Sequence, residues 1–247
     1  MNEIINLLRN QSSTRKNQFS NIDIRSEDIE TIKASVLKTA NASNRQSYSV
    51  IVLDTNQAIS LGLTGNKVFL FCIDFYRLHR LAELLNQNFD SQYLMQFVTA
   101  LTDISMLAQS TILAAQSLEI DTLITNEIYH NKLDKAFDSL NIPEKYVFPM
   151  LAVCLGYSNV EGKAQKGRLA LNQIFNDGKY KQLMDDEVLA LITEYDDQVK
   201  NIGLVKDWDE KGYQHYLDWF FEKWSPVIGS RDQSDTFIKA LKKHEII

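Results

Sequence analysis

The segment YLMQFVTALTDISMLAQSTILAAQSL, residues Tyr93 to Leu118, decides the fold of this chain. Apolar or small residues occupy nearly every face of a helix of this length, and neither Gly nor Pro interrupts it. Such a helix is expected to be buried on all sides. Because a domain of this size seldom covers it completely, we predict that a subunit interface covers its second side and that the protein is a homodimer.

Short β-branched and aromatic runs around this helix predict buried strands. The predicted strands are Tyr48 to Leu53, Val68 to Ile73, Leu123 to Thr125 and Tyr146 to Leu155. Helical spacing of apolar residues predicts further helices. They lie at Ile4 to Leu8, Ser26 to about Ala40, Tyr76 to Leu85, Leu133 to Leu140, Asp185 to Val199 and Gly212 to Trp224, before a polar tail with Pro226 and Gly229. Strands alternating with helices over the whole length predict one α/β or α+β layered domain.

The composition is that of a soluble globular domain, with 247 residues of which 45% are hydrophobic and 23% charged. A net charge of −6 argues against a general nucleic-acid binder, which needs clustered cations. No apolar run is long enough to span a bilayer, and Met1 to Asn10 lacks the pattern of a secretory signal. Cys72 and Cys154 lie far apart in apolar runs, so buried reduced thiols are expected. These features predict a cytoplasmic protein without nucleic-acid or membrane partners.

Metal and hydrolase chemistry find no support in the sequence. The four histidines have no HExxH-like spacing and no nearby Cys or acidic cluster, so no metal is assigned. No serine lies in a GxSxG context, and capping or hydrogen bonding explains the serines better. The aromatic residues between Trp208 and Trp224 are expected to pack together.

Three separated segments combine cations, amides and small residues. Ser12 to Lys16 is SSTRK, Ala40 to Gln46 is ANASNRQ, and Pro149 to Tyr157 is PMLAVCLGY, followed by KGRL at Lys166 to Leu169. Each pattern alone is weak, because basic loops occur often by chance. Together, their order and spacing resemble the nitroreductase and flavin reductase superfamily, nearest its NADPH-linked flavin oxidoreductase branch.

This resemblance implies a fold and an assembly. The implied fold is α+β, with three α/β/α layers, a central mixed and largely antiparallel sheet, and a long buried helix at the dimer interface. Residues 1–247 would form a single FMN-binding domain whose C-terminal segment, from about 200 to 247, packs on the partner subunit. The turn with Ala42, Asn44 and Gln46 would reach the flavin of the other subunit, so a complete site would need the dimer.

The resemblance also implies bound FMN, with NADPH or NADH as the co-substrate. Lys166 and Arg168 would hold the FMN phosphate, which an arginine can bind through two parallel hydrogen bonds. Arg15 would stabilise the negative charge that develops on the flavin pyrimidine on reduction. Ser13 would contact the flavin beside it. No protein side chain is assigned a catalytic role, because flavin N5 carries the chemistry.

Backbone amides of the segment Thr125, Asn126 and Glu127 would lie near flavin N5 and O4 by the same resemblance. The family often has a Gly-Gly or Glu-Gly pair here, whereas this chain has Asn126 and Glu127. Backbone donors do not depend on the side chain, but the added bulk and the carboxylate could repel an anionic substrate. We therefore expect a narrower choice of acceptor.

Other positions also depart from the family pattern. Gln11 and Ser12, which complete the cofactor loop, stand where this branch often has basic residues, and Asn17 replaces an aromatic residue. Gly167 replaces a proline. The interval from Leu53 to Val68 is predicted to be too short for the helix that normally follows the first strand and contributes a polar side chain to the flavin.

The implied activity is transfer of hydride from NAD(P)H through FMN to small electron-poor acceptors, by a ping-pong mechanism. Nitroaromatics, quinones and free flavin are the acceptors expected. The alternative is a nitroreductase-like dimer that binds flavin or another ligand without productive turnover. The altered pair at Asn126 and Glu127 and the short interval after the first strand motivate this alternative.

Overall fold

The computed structural model describes residues 2–160, 165–227 and 230–247. The chain divides into two compact units, which we call the core unit (Met1–Lys163 with Asp235–Ile247) and the second unit (Ala164–Ser234). The interpretation of residues 1–247 as a single domain, with a C-terminal segment on the partner subunit, stays a prediction.

Strands and helices are interspersed up to the last strand, and the regular elements described after it are helices. The strands are β1 (Tyr48–Asp54), β2 (Lys67–Asp74), β3 (Asp121–Thr125) and β4 (Val147–Gly156). The helices are α1 (Glu3–Arg9), α2 (Ser26–Val36), α3 (Thr55–Ser60), α4 (Tyr76–Leu84), α5 (Leu94–Ser117), α6 (Glu127–Asn131), α7 (Leu133–Leu140), α8 (Leu171–Ile174), α9 (Asp185–Asp196), α10 (Tyr216–Trp219) and α11 (Arg231–Lys243). Each predicted strand is confirmed to within two residues.

One sheet organises the core unit, with strand order β1-β2-β4-β3 and antiparallel pairing throughout the described strands. In the register, Leu70 of β2 lies between Ile51 of β1 and Ala152 of β4. Every β2 residue after Lys67 is buried, so both faces of the sheet are covered. Burial on both faces explains why these strands are continuous apolar runs without alternation.

The long helix α5 contacts all four strands and also packs against α2. Its inner face, which includes Ile104 and Leu107, is buried, whereas Met95 is 70% and Val98 43% exposed. Burial on all sides, expected from the sequence, is therefore wrong within one chain, because α5 forms a layer over one face of the sheet. The exposed outer face of α5 is where the predicted subunit interface would lie, and that interface stays a prediction.

The apolar length of α5 also satisfies the length and composition of a membrane span, the one helix of the described chain to do so. A core helix of a soluble protein passes the same test. The packing of α5 on the sheet, with Asp103 buried near its middle, accounts for its apolar character.

The prediction that the interval after β1 cannot hold a helix is wrong. Helix α3 occupies six residues there, and Asp54 and Gln57 form a capping box at its start. The Asp54 carboxylate accepts from the Gln57 amide at 2.8 Å, and the Gln57 side chain accepts from the Asp54 amide at 3.0 Å. Two capping bonds let a short segment form a helical turn that its apolar periodicity does not reveal.

The helix limits near the C-terminus also differ from the prediction. Helix α10 begins at Tyr216 instead of Gly212 and passes into a π-helical turn, Phe220–Trp224. The predicted polar tail contains α11, which buries Leu241 and packs Phe237 against Tyr129 and Phe148. The apolar residues of α11 are few and mixed with Lys and Asp, so tertiary packing stabilises a helix that sequence periodicity does not predict.

Near the N-terminus, α2 ends at Val36 and not near Ala40.

The residue after α11, His244, connects the chain end to the sheet. Its imidazole is buried and stacks on Phe137 with ring centroids 3.9 Å apart, and Nδ1 donates to the Glu144 carbonyl at 2.6 Å. Desolvation by this burial lowers the pKa of His244. The folded state therefore favours the neutral imidazole.

We predict that His244 makes stability fall in mild acid. The unfolded chain protonates this residue below about pH 6.5 while the folded chain resists protonation, so the free energy of unfolding decreases as pH falls through and below that value. Urea denaturation at pH 7.5 and 5.5 should show a smaller acid loss for His244→Phe than for the unmodified protein. Equal losses in the two proteins would contradict this assignment.

Candidate functional site

The loop from Gln11 to Ser20 is attached to the β3–β4 edge of the sheet. Near one end the Thr14 amide donates to the Thr122 carbonyl at 2.9 Å, and at the other the Ser20 amide donates to the Tyr157 carbonyl at 2.7 Å. The side-chain amide of Gln116, in the last turn of α5, donates to the Ser12 carbonyl at 3.1 Å. The backbone of this loop is therefore fixed by both the sheet and α5.

This fixed loop presents its predicted site residues in two ways. Ser13 and Arg15 are exposed, and the Arg15 amide donates to the Gln18 side chain at 2.8 Å, which turns the loop at this point. Gln11 is half-buried, and its Nε2 is a buried donor without a hydrogen-bond acceptor in the described chain. A buried donor without an acceptor is unfavourable unless a bound molecule supplies one.

The segment Thr125 to Glu127 joins the end of β3 to the start of α6 and lies beside the same loop. Here the Glu127 amide donates to the Thr125 hydroxyl at 3.2 Å. Lys16 Nζ reaches both carboxylate oxygens of Glu127, at 3.1 and 3.2 Å. This ion pair joins residues far apart in sequence, and no motif could have indicated it.

The turn with Ala42, Asn44 and Gln46 has an unusual backbone. Asn44 and Gln46 have φ values of 51° and 53°, in the left-handed region that non-glycine residues rarely adopt. The Ala42 amide donates to Oδ1 of Asp103 at 2.9 Å, and the Arg45 guanidinium bonds to Gln96 in the first turn of α5. Asp103 is 1% exposed, so a buried carboxylate anchors this turn.

The two groups of predicted site residues are attached to different parts of α5, one in its first half and one in its last turn. Ser12 is bonded to Gln116, whereas Ala42 is bonded to Asp103. At about 1.5 Å per residue, these anchor points are about 20 Å apart along the helix axis. We call the loop from Gln11 to Ser20 the Ser12 loop and the turn from Ala42 to Gln46 the Ala42 turn. A single chain does not bring the two together.

One residue of each group, Ser12 or Gln46, borders a separate cavity within the core unit. The cavity beside Ser12 has a volume of about 600 Å³ and is lined by α1 and the end of α5. The groove beside Gln46 has a volume of about 520 Å³ and is lined largely by apolar residues of α2 and β1.

In the second unit, Lys166 and Arg168 hold their own segment in place. Lys166 Nζ donates to Oδ1 of Asn201 at 3.1 Å, to the Leu204 carbonyl at 3.4 Å and to the Gly203 carbonyl. The Arg168 guanidinium donates to the Lys166 carbonyl at 3.0 Å from an exposed side chain. These bonds occupy the Lys166 ammonium, and its predicted role in holding an anion stays a prediction.

Gly167 occupies a position where only glycine fits. A Cβ at this residue would lie 2.0 Å from the Lys200 carbonyl oxygen, and the Gly167 amide donates to the Asn201 carbonyl at 3.2 Å. Proline would meet the same carbonyl and would lack the donor. This contact explains why the chain has glycine where the resembling pattern has proline.

Comparisons with known proteins agree with this fold, although no protein-family model matches the chain. It is 29% identical over 199 residues to the FMN reductase (NADPH) of Bacillus subtilis, covering 75% of this chain and 78% of that protein. It is also 29% identical over 193 residues to a Cr(VI) reductase of Pseudomonas sp. strain G-1, covering 74% and 77%. Among solved structures, B. megaterium NfrA1 superimposes with a TM-score of 0.81 at 21% identity, covering 98% of this chain and 99% of that one.

The antiparallel sheet under one long helix, together with these neighbours, defines a nitroreductase-fold protein, which confirms the predicted fold class. In sequence and in fold the chain resembles the nitroreductase superfamily, nearest its NADPH-linked flavin reductase branch.

We predict that Gly167→Ala destabilises the second unit by about 2 kcal/mol or more, because backbone must move to admit the new Cβ. Gly178→Ala is the matched control: nothing lies within 4 Å of its Cβ position, and its φ of 78° adds only strain, about 1 kcal/mol. Urea denaturation followed by tryptophan fluorescence measures both. A Gly167→Ala protein no less stable than the control would contradict this packing.

We also predict that Asp103→Ala releases the Ala42 turn, whereas Asp103→Asn keeps it, because an asparagine oxygen still accepts from the Ala42 amide. Hydrogen exchange measured on a peptide covering residues 41–47 should be about tenfold faster or more in the alanine variant, as expected for the loss of a buried hydrogen bond. Equal exchange in the two variants would show that Asp103 does not anchor the turn.

Proposed function

We propose that this protein is an FMN-dependent oxidoreductase that transfers hydride from NADPH to small electron-poor acceptors such as nitroaromatics, quinones or free flavin. The observation that carries the proposal is that α5 holds both groups of predicted flavin residues, the Ser12 loop at its last turn and the Ala42 turn at its first half. The relatives whose names include FMN reductase (NADPH) and Cr(VI) reductase support the same chemistry.

The donors of the Gln11 to Lys16 loop fit an FMN ligand. FMN presents carbonyl and hydroxyl oxygens along its pyrimidine and ribityl chain, which need hydrogen-bond donors. Exposed Ser13 and Arg15 supply such donors from a fixed backbone. The buried Gln11 Nε2 lacks an acceptor in the described chain, and a flavin oxygen would provide one.

When bound, FMN supplies hydride acceptance from NAD(P)H and electron transfer to the second substrate. The protein contributes position and charge. Arg15 places a permanent positive charge on a loop attached to the sheet, where it would favour the anionic form of the reduced cofactor. For a nitro acceptor the balance is NADPH + H⁺ + R–NO₂ giving NADP⁺ + R–NO + H₂O, and one shared pocket for both substrates gives ping-pong kinetics.

A homodimer would complete this site. In one chain the Ala42 turn is held near Asp103, about 20 Å along the α5 axis from the Ser12 loop at the last turn. A second copy packed on the exposed face of α5, which includes Met95, Val98 and Met106, would bring its turn to the first copy's loop and cover apolar surface.

The phosphate of FMN would bind the segment around Arg168. Of its two cations, Arg168 is exposed, whereas the Lys166 ammonium already has three protein acceptors. Lys166 would then orient the segment while Arg168 binds the anion. The acidic composition and the two buried free thiols fit a cytoplasmic enzyme.

A second candidate is a flavin-binding dimer without turnover. The Glu127 amide favours this candidate. In the resembling family the corresponding backbone amide lies near the flavin, whereas here it donates to the Thr125 hydroxyl. Both candidates would bind FMN, so reduction of the bound flavin by NADPH is what distinguishes them.

We predict that the purified protein binds FMN and that NADPH bleaches the flavin absorbance without oxygen. Colour should return when a nitroaromatic or a quinone is added. Yellow protein that NADPH never bleaches would support the binding dimer, and a colourless protein that cannot be reconstituted with FMN would exclude both candidates.

We further predict that two inactive variants restore each other when they are coexpressed. In a mixed dimer of Arg15→Ala and Asn44→Ala, one composite site would contain both mutations and the other neither. Random pairing would then leave about a quarter of all sites intact. Activity no greater than the sum of the separate variants would show that both residues act within the same chain.

A further inference from the structure

The ion pair between Lys16 and Glu127 lies where two of the proposed flavin-contacting segments meet. Lys16 follows Arg15 directly, and Glu127 ends the segment Thr125 to Glu127. The ammonium contacts both carboxylate oxygens, at 3.1 and 3.2 Å, while the side chains are 55% and 42% exposed. A pair this exposed contributes little to folding stability, so stability does not explain it.

The backbone around this pair is fixed at a third point. The Thr64 hydroxyl, in the turn before β2, donates to the Lys16 carbonyl at 3.0 Å. Burial raises the pKa of the Cys154 thiol, on β4, to about 11, and Lys16 and Glu127 shift it in opposite directions. The two opposite charges are held 3.1 Å apart, so their long-range effects largely cancel.

We propose that Lys16 is a positioning residue that holds and neutralises Glu127, so that the site accepts small anionic nitroaromatics. This inference depends on the proposed function. Glu127 stands where the resembling family has glycine, and alone its carboxylate would repel an anionic acceptor from the flavin. Paired with Lys16, it presents almost no net charge to the pocket. The expectation that Glu127 restricts acceptors by charge is revised accordingly: the restriction is one of bulk.

The expected effect is moderate, because the pair is open to water. One uncompensated charge acting over about 7 Å, in a medium between protein surface and bulk water, changes the binding of a univalent anion by about three- to tenfold. High ionic strength would reduce this change, because exposed charges are screened.

The test compares two acceptors of the same size, 4-nitrobenzoate and 4-nitrobenzamide, with the FMN-loaded enzyme and NADPH. In a ping-pong reaction, kcat/KM for the acceptor reports only the acceptor half of the cycle. The ratio of the two kcat/KM values is therefore independent of flavin content and of any effect on NADPH. The variants are Lys16→Gln, Glu127→Gln and the double variant.

Lys16→Gln should lower the benzoate-to-benzamide ratio about three- to tenfold at low salt, and the double variant should bring it back near the starting value. The matched control is Lys243→Gln, which breaks the exposed pair of Lys243 on α11 with Asp134 on α7, 3.2 Å long, and should leave the ratio unchanged. The loss should shrink when about 0.5 M salt is added.

Two results would overturn the inference, and they have different meanings. If the unmodified enzyme turns over both acceptors and Lys16→Gln leaves their ratio unchanged, Lys16 does not neutralise Glu127 and the proposed function still stands. If the unmodified protein reduces neither acceptor with NADPH, the proposed function itself fails and this inference fails with it.

Discussion

The packing of α5 across the sheet is the constraint on which the rest of the core unit depends. One face of α5 contacts all four strands, and this contact gives the helix a fixed direction over its 24 residues. Polar residues near its middle and in its last turn then hold two loops of the chain. Gln116 binds the Ser12 loop and Asp103 binds the Ala42 turn. Because α5 is rigid, it fixes the distance between the Ser12 loop and the Ala42 turn. The packing of α5 on the sheet therefore determines where the proposed binding residues lie.

A second consequence concerns the polar groups that this packing leaves in the interior. Oδ2 of Asp103 and Nε of Arg45 are buried without partners in the described chain, next to residues of the Ala42 turn. Unpaired buried groups are usually destabilising, and binding sites are a common place to find them. The left-handed backbone of Asn44 and Gln46 adds strain in the same turn. These features agree with a turn shaped for binding and not for stability alone.

Local sequence patterns predicted the strands, α5 and α7 well, because continuous apolar runs and helical periodicity follow directly from burial. The same reasoning missed α3, whose signal is a capping box, and α11, which depends on contacts of Phe237 with distant aromatic rings. It named Ser13, Arg15 and Asn44 by resemblance, but could not foresee that Lys16 pairs with Glu127 or that Lys166 binds Asn201. Those contacts join residues far apart in the chain, and only the folded structure brings them together.

We propose that one flavin site combines the Ser12 loop of one chain with the Ala42 turn of a second copy. A crystal structure of the FMN-loaded protein tests this most directly. We predict a symmetric dimer across α5, with Ser13 and Arg15 of one copy and Asn44 and Gln46 of the other on the same flavin. A flavin contacted by both segments of a single chain, or one bound away from both, would contradict it.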